Sequence, residues 1–350
     1  MSPPRSSLAT TSLDRLRDRK AEHIDLALES RMQMDHNHFE DYRFEHRALP
    51  EIDYHRIDTS VSFLGRRLAS PLLISCMTGG TAEATRINRN LARGAQETGV
   101  AIGVGSMRKA LEEPSTEESF RVRPFAPGVP VLANLGAVQL NYGFGLDDCL
   151  RAVEMIDADA LVLHVNPLQE ALQPEGQANF AGLLSKIGRV ARGMDVPVIV
   201  KEVGCGISPG DARALMDQGI QVIDTAGTGG TSWARIEAAR SGDADSGELF
   251  ADWGIPTPVA IRRLRKIPGL TIIGSGGVRN GIDMAKAIAS GAELVGVACP
   301  FLHAASESKE RGVARVRRMV RELKISMFCV GARTVQELQG VGRRRRGDWD

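Results

Sequence analysis

Eight short apolar runs, each ending in a polar or glycine-rich turn, constrain this chain more than any other feature. They are PLLISCMTGG (71–80), VAIGVGSMR (100–108), VPVLANLGA (129–137), ALVLHVNPLQE (160–170), PVIVKEVG (197–204), IQVIDTAGTGGTSW (220–233), LTIIGSGGVR (270–279) and LVGVACP (294–300). Segments with helical periodicity lie between them, among them 87–98, 147–156, 180–192 and 211–218, the last preceded by a Ser208-Pro209 start signal. Continuous apolar strands alternating with helices imply a parallel sheet buried on both faces. Eight such units closing on themselves make an α/β fold, a (β/α)8 TIM barrel. A doubly wound sheet is the runner-up, disfavoured because no GxGxxG follows the first run.

The 350 residues suit one barrel of ~250 residues with extensions. Residues 1–12, rich in Pro, Ser and Thr, read as a disordered tail. Residues 13–56 form an N-terminal extension, helical from Asp14 to about Arg31 and irregular from 32 to 56. The barrel takes 57–338, and 339–350 read as a basic, flexible tail containing Arg343 to Arg346. A content of 43% hydrophobic and 25% charged residues excludes general disorder. Lys+Arg 44 against Asp+Glu 43 gives a net charge of +1, which argues against a nucleic-acid surface. With 5% aromatics there are few platforms for stacking single-stranded bases. There is neither a long uninterrupted apolar stretch nor an N-terminal apolar h-region, so we expect no membrane span and a cytoplasmic location. The five cysteines include no CxxC pair, which argues against disulfides and zinc ribbons.

A barrel carries its chemistry at the C-terminal ends of its strands. Those ends hold Thr78, Ser106, Asn134, His164, Asn166, Lys201, Glu202, Thr225 and Ser275. Glycine clusters at 79–80, 227–230 and 274–277 could make tight turns alone, but three of them at strand ends favour a phosphate-bearing ligand. GSGGVRNGID follows the seventh run and leads into a helix, and the loops after strands seven and eight form the usual barrel phosphate site. Lys201 could hold an anionic cofactor, form a Schiff base or pair with Glu202. In HVNPLQE (164–170), one carboxylate suffices for Mg2+ when phosphate oxygens and water complete the shell. Gln169 can fix a polar group but is no strong acid or base. His164 alone would read as a hydrogen-bonded structural histidine. Arg19, Lys20 and His23 read most simply as a solvated helix face. Ser106 and Arg108 suit phosphate oxygens. Trp233 and Glu237, four apart, can share a helical face near the mouth. The histidines at 23, 36, 38, 46 and 55 match no metal-ligand spacing and read as surface residues.

Together RKAEHI, MTGG, GSMR, LANLGA, HVNPLQE, VKEVG, GTGGTSWARIE and GSGGVRNGID resemble the type 2 isopentenyl-diphosphate isomerases, FMN-dependent barrel enzymes, over residues 19 to 335. That resemblance implies FMN contacts at Met77, Thr78, Gly79, Ser106, Asn134, Lys201, Thr231, Gly276, Gly277, Ala298 and Cys299. It implies a diphosphate substrate held by Arg19, Lys20, Ser106, Arg108 and His164, with Asn166 and Gln169 beside it and Mg2+ on Glu170. Gln169, His164, Trp233 and Glu237 are the implied catalytic set, NADPH the flavin reductant and a tetramer or octamer the assembly. An FMN-dependent 2-hydroxy-acid oxidase would need a His base and an Arg anchor after strand six, where DTAGTGGTSW has neither. A non-catalytic flavin- or phosphate-binding barrel would be expected to lose the mouth residues, which are intact.

Overall fold

Each of the eight apolar runs forms a strand in the computed structural model, which describes the backbone of residues 12–347 and the side chains of residues 20–347. The expected tail 1–12, apart from Ser12, and the side chain of Arg19 lie outside the described residues. The strands are β1 (Leu72–Ile74), β2 (Ala101–Gly103), β3 (Val131–Gly136), β4 (Ala160–His164), β5 (Val198–Lys201), β6 (Val222–Asp224), β7 (Thr271–Ser275) and β8 (Leu294–Val297). All neighbours are parallel and the sheet closes, with Ile272 of β7 opposite Ile223 of β6 and Gly296 of β8 opposite Leu73 of β1. The strands are buried on both faces because side chains fill the interior and helices cover the outside, which is why their sequences show no alternation.

Two apolar layers result. Leu73, Leu132, Val162, Ile199, Ile273 and Leu294 fill the barrel interior. An antiparallel hairpin, Val61–Phe63 with Arg66–Leu68, adds Phe63 and Leu68 to that interior. The second layer packs strands against helices such as Ala82–Thr98, Leu146–Ile156 and Gly281–Ser290. Local caps set the helix starts: Thr81 accepts from the Ala84 N–H, and Ser208 accepts from the Asp211 N–H as its position before Pro209 predicted. The first of these helices begins five residues before the periodicity of 87–98 becomes visible, because its opening turn is polar.

The N-terminal helix Ser12–Leu28 lies against helices Cys299–Glu307 and Trp233–Ser241 and so brings its side chains to the mouth. One expectation is corrected at the other end of the chain. Arg343–Arg345 is a strand, paired antiparallel with Tyr42–Phe44, so this part of 339–350 is held rather than flexible. Long-range backbone pairing of this kind leaves no periodic trace in the arginine run itself.

Candidate active site

A cavity of about 830 Å3 occupies the C-terminal mouth of the barrel. All eleven positions expected to contact a flavin line it: Met77, Thr78, Gly79, Ser106, Asn134, Lys201, Thr231, Gly276, Gly277, Ala298 and Cys299. Gly276 and Gly277 are consecutive left-handed residues, with φ of +101° and +72°. A Cβ on Gly276 would lie 2.2 Å from the Gly227 carbonyl oxygen, and one on Gly277 would lie 2.6 Å from that of Gly229. Two glycine clusters therefore pack backbone against backbone, which exposes a concave run of main chain to the cavity. Helix Cys299–Glu307 starts beside them with no side-chain cap on its first N–H groups, and Ala298 and Cys299 form the wall there. An uncapped helix N-terminus next to such a turn suits a phosphate. The cradle thus fits the phosphate end of FMN, and its shape rests on a close approach of two main-chain loops that a single Cβ would push apart.

Lys201, the last residue of β5, donates to the Glu202 carbonyl at 2.6 Å and lies 3.9 Å from Asp224 Oδ2. Burial pushes the Asp224 carboxyl above its ordinary range, opposed by Lys201 and by the Ser275 hydroxyl. Glu202 does not pair with Lys201 through its carboxylate. Its Oε2 accepts from the N–H groups of Val203, Gly204 and Cys205 and so folds the loop after β5. Ala226, at the cavity wall, holds a φ of +33°, a strained conformation in a loop that carries function.

The opposite wall is built from side chains. Lys20, Ser106, Arg108, His164, Asn166, Gln169, Glu170 and Trp233 all line the cavity. Lys20 is part-buried and donates to the Ser106 carbonyl at 3.0 Å, so it is a mouth residue and not a solvated helix face. Arg108 donates to Gln177 Oε1 at 3.1 Å, and the Gln177 N–H donates to Glu170 Oε2 at 2.6 Å. Glu170 Oε1 accepts from Asn166 Nδ2 at 2.9 Å, while the buried Asn166 Oδ1 has no hydrogen-bond partner. An orphaned oxygen beside a carboxylate fits a hard cation such as Mg2+, which needs only one or two protein oxygens.

His164 ends β4, and its Nδ1 meets Asn134 Oδ1 at 2.8 Å; with Asn134 Nδ2 turned to the Val104 carbonyl, Nδ1 carries the hydrogen. Burial, with help from Lys201 and Lys20, lowers its pKa to about 4, so the ring is neutral at pH 7. A neutral ring of this tautomer presents a lone pair at Nε2.

Gln169 is fixed at both ends. Its Nε2 donates to Glu237 Oε1 at 2.8 Å, and its Oε1 accepts from Asn166 Nδ2 at 3.0 Å. Glu237 is fully buried behind the wall and does not line the cavity; it reaches the mouth through its bond to Gln169. Burial favours its protonated form, but His23 at 3.1 Å, Gln169 and Arg240 at 2.7 Å outweigh that and hold its carboxyl below the usual range. His23 also meets the Trp233 ring edge-on, with centroids 5.2 Å apart. Helical spacing lets Trp233 and Glu237 share one face near the mouth; Trp233 lines the cavity, and the N-terminal helix covers Glu237 through His23.

Several lining residues had no signal in the sequence. They include Gln33, which accepts from Thr231, and Gln173, whose buried Nε2 has no partner. Both come from polar segments that no periodicity singles out. Away from the mouth, His36, His38 and Asp41 bring ligand-type atoms within 4.8 Å of one another, which their sequence spacing did not suggest.

The FMN-dependent dehydrogenase family matches residues 14–128 and 173–342. A protein of Nostoc named isopentenyl-diphosphate delta-isomerase is 48% identical over 352 residues, covering 99% of each chain. Proteins of the same name from Paracoccus zeaxanthinifaciens and Methanothrix thermoacetophila are each 51% identical, covering 86% and 91% of this chain and 88% and 90% of their own. The chain belongs to the isopentenyl-diphosphate delta-isomerase family. Solved structures share the isomerase's fold at lower identity. A mandelate oxidase carrying a C4a-OH-FMN adduct superposes with a TM-score of 0.66 at 21% identity, covering 96% of this chain and 99% of its own. A lactate oxidase of Pediococcus acidilactici gives 0.64 at 18%, covering 95% and 94%. Among the described residues of this isomerase-family chain, no helix is long and apolar enough to cross a membrane.

Proposed function

We propose that this chain converts isopentenyl diphosphate to dimethylallyl diphosphate, using reduced FMN and Mg2+, with NADPH as the flavin reductant. The reading extends to a cytoplasmic homo-oligomer of four or eight copies. The observation that carries it is the position of Gln169, an amide clamped by buried partners at the junction of the glycine cradle and the Lys20, Arg108 and Glu170 wall. The name shared by the relatives agrees with it.

The reaction adds one proton at the terminal methylene and removes one from C2, with no net redox change. Reduced FMN supplies the proton-transfer group when bound. Lys20 and Arg108 set positive charge where the diphosphate would lie, and Glu170 with Asn166 Oδ1 would hold Mg2+ against it. The Gln169 carbonyl oxygen keeps a spare lone pair beside its bond from Asn166, which would stabilise positive charge on a hydrocarbon next to it without taking the proton. Trp233 offers an aromatic face to the same charge. Ile24 and Ala27 line the cavity with apolar surface that excludes water from it. The β6 loop carries neither histidine nor arginine between Thr225 and Trp233, so it lacks the base and anchor that hydroxy-acid oxidation would use.

A magnesium titration with reduced FMN saturating tests the division of labour. Glu170→Gln should raise the Mg2+ needed for half activity about tenfold or more, the worth of one lost charged ligand, with flavin affinity unchanged. Gln169→Leu should instead lower kcat by ~10²-fold at an unchanged Mg2+ midpoint, as expected of an interaction made in the transition state. A wild-type Mg2+ profile in Glu170→Gln would remove the metal assignment.

A further inference from the structure

The arginine run at the C-terminal end has no part in the barrel chemistry, yet it is built into a second cavity. Pairing of Arg343–Arg345 with Tyr42–Phe44 sets these side chains over the start of helix Thr257–Leu264. A cavity of about 650 Å3 lies between them, lined by Pro258, Val259 and Arg262 of that helix and by Arg343, Arg344 and Arg345 of the strand. Arg262 and Arg343 both sit on the Tyr42 ring, 5.1 and 5.8 Å from its centroid. Two like charges therefore share one aromatic ring.

Many arginines elsewhere in the molecule meet carboxylates, as Arg123 meets Asp159 and Arg235 meets Glu248. Here Arg344 lies 3.4 Å from Glu45, but among the described residues Arg262, Arg343 and Arg345 pair with no carboxylate. Arg343 donates through one terminal nitrogen to the Ala289 carbonyl, and its Nε is buried without a partner. Burial and the nearby Arg262 bring its pKa down to about 10, the expected response of a guanidinium that lacks a counter-anion. Asp41 is the one carboxylate on the lining, and it is engaged by His36 at 2.9 Å.

We propose that this cavity binds a small organic polyphosphate, with the phosphates on Arg262, Arg343 and Arg345 and the organic group against Pro258 and Val259. Guanidinium forks recognise phosphate oxygens bidentately, and the concave shape and volume suit a small molecule and not a nucleic-acid duplex. The site is also mechanically connected to the mouth. Residues 34–42 run between the two cavities: the Met34 N–H donates to the Gly230 carbonyl, the Arg279 guanidinium donates to the Met34 carbonyl, and Asn37 donates to the buried Asp283. An occupant resting on Tyr42 would stiffen the segment that buttresses both glycine loops. Binding itself does not depend on which reaction the mouth performs.

Calorimetric titration of the FMN-loaded protein, without Mg2+, tests this with two probes, ATP and inorganic tripolyphosphate. Both should bind, and ATP should bind more tightly if the apolar wall contributes. Arg262→Gln and Arg345→Gln, at exposed positions, should each weaken binding by about tenfold, and the double variant by more, at an unchanged melting temperature. Lys20→Gln, at the mouth, should leave this binding unchanged. Wild-type affinity in both arginine variants, loss of binding only in Lys20→Gln, or no binding by the wild type below millimolar concentration would each overturn the proposal.

Discussion

The two walls of the barrel-mouth cavity are made of different material. The wall around Gly276, Gly277 and Ala298 is main chain: left-handed glycines, an uncapped helix end and closely packed loops. The wall around His164, Gln169 and Glu170 is side chain, held by other side chains such as Asn134, Asn166 and Glu237. The family match takes in all of the first wall and part of the second, Lys20, Arg108 and Trp233 included. It covers the glycine loops but omits residues 129–172, the stretch that carries β3, β4 and HVNPLQE. A cofactor cradle made of backbone can be shared by enzymes of different reaction, because no side-chain chemistry is written into it.

This contrast is broken most forcefully by adding one methyl group to the backbone wall. Gly277→Ala combines a positive φ with a Cβ 2.6 Å from a main-chain oxygen that cannot rotate away. The cost should be about 2–4 kcal/mol of stability, with FMN affinity, read from flavin fluorescence, falling about a hundredfold. Unchanged flavin binding would mean that the cradle is elsewhere.

Glu237→Gln probes how far the side-chain wall depends on its buried support. It keeps the size but leaves Arg240 and His23 without a buried carboxylate, and should cost about 1–3 kcal/mol. The kcat should fall while KM and FMN affinity hold, because Gln169 loses its orientation. Equal losses in kcat and FMN affinity would indicate general unfolding and contradict a positioning role.

The smallest effect is expected from acid. The pKa of His164, about 4 when folded, lies below its unfolded value of about 6.5, so the unfolded chain binds the extra proton first. The stability from the neutral ring is complete above pH 6.5, is lost as pH falls toward 4 and declines no further below that. Allowing for solvent in the open mouth, the loss should be on the order of 1 kcal/mol. Urea unfolding of flavin-free protein at pH 7 and pH 4.5, with His164→Asn as reference, reads it. Parallel pH dependence in the two proteins would contradict the assignment.

The barrel was legible because parallel strands covered on both faces must be apolar throughout, and eight such runs leave few other folds. HVNPLQE and the glycine clusters were legible because they sit directly after those runs. The burial of Glu237 was not legible because three of its partners, His23, Gln169 and Arg240, come from two helices besides the one it shares with Arg240, and burial of a carboxylate depends on that convergence. Lys20 is legible only through the family resemblance: by its spacing alone, a charged residue on a polar helix looks solvated until the helix is laid over the mouth. The strand at Arg343–Arg345 pairs with residues about three hundred positions away, and its charge pattern is that of a solvated end.

The central claim is that the mouth moves protons and not electrons through the substrate. It is tested most directly by measuring NADPH oxidation and dimethylallyl diphosphate formation together, without oxygen, in protein loaded with FMN and Mg2+. The account predicts a single early oxidation of NADPH, at most about one per flavin, followed by many product molecules with no further consumption. One NADPH oxidised for each product formed would contradict it.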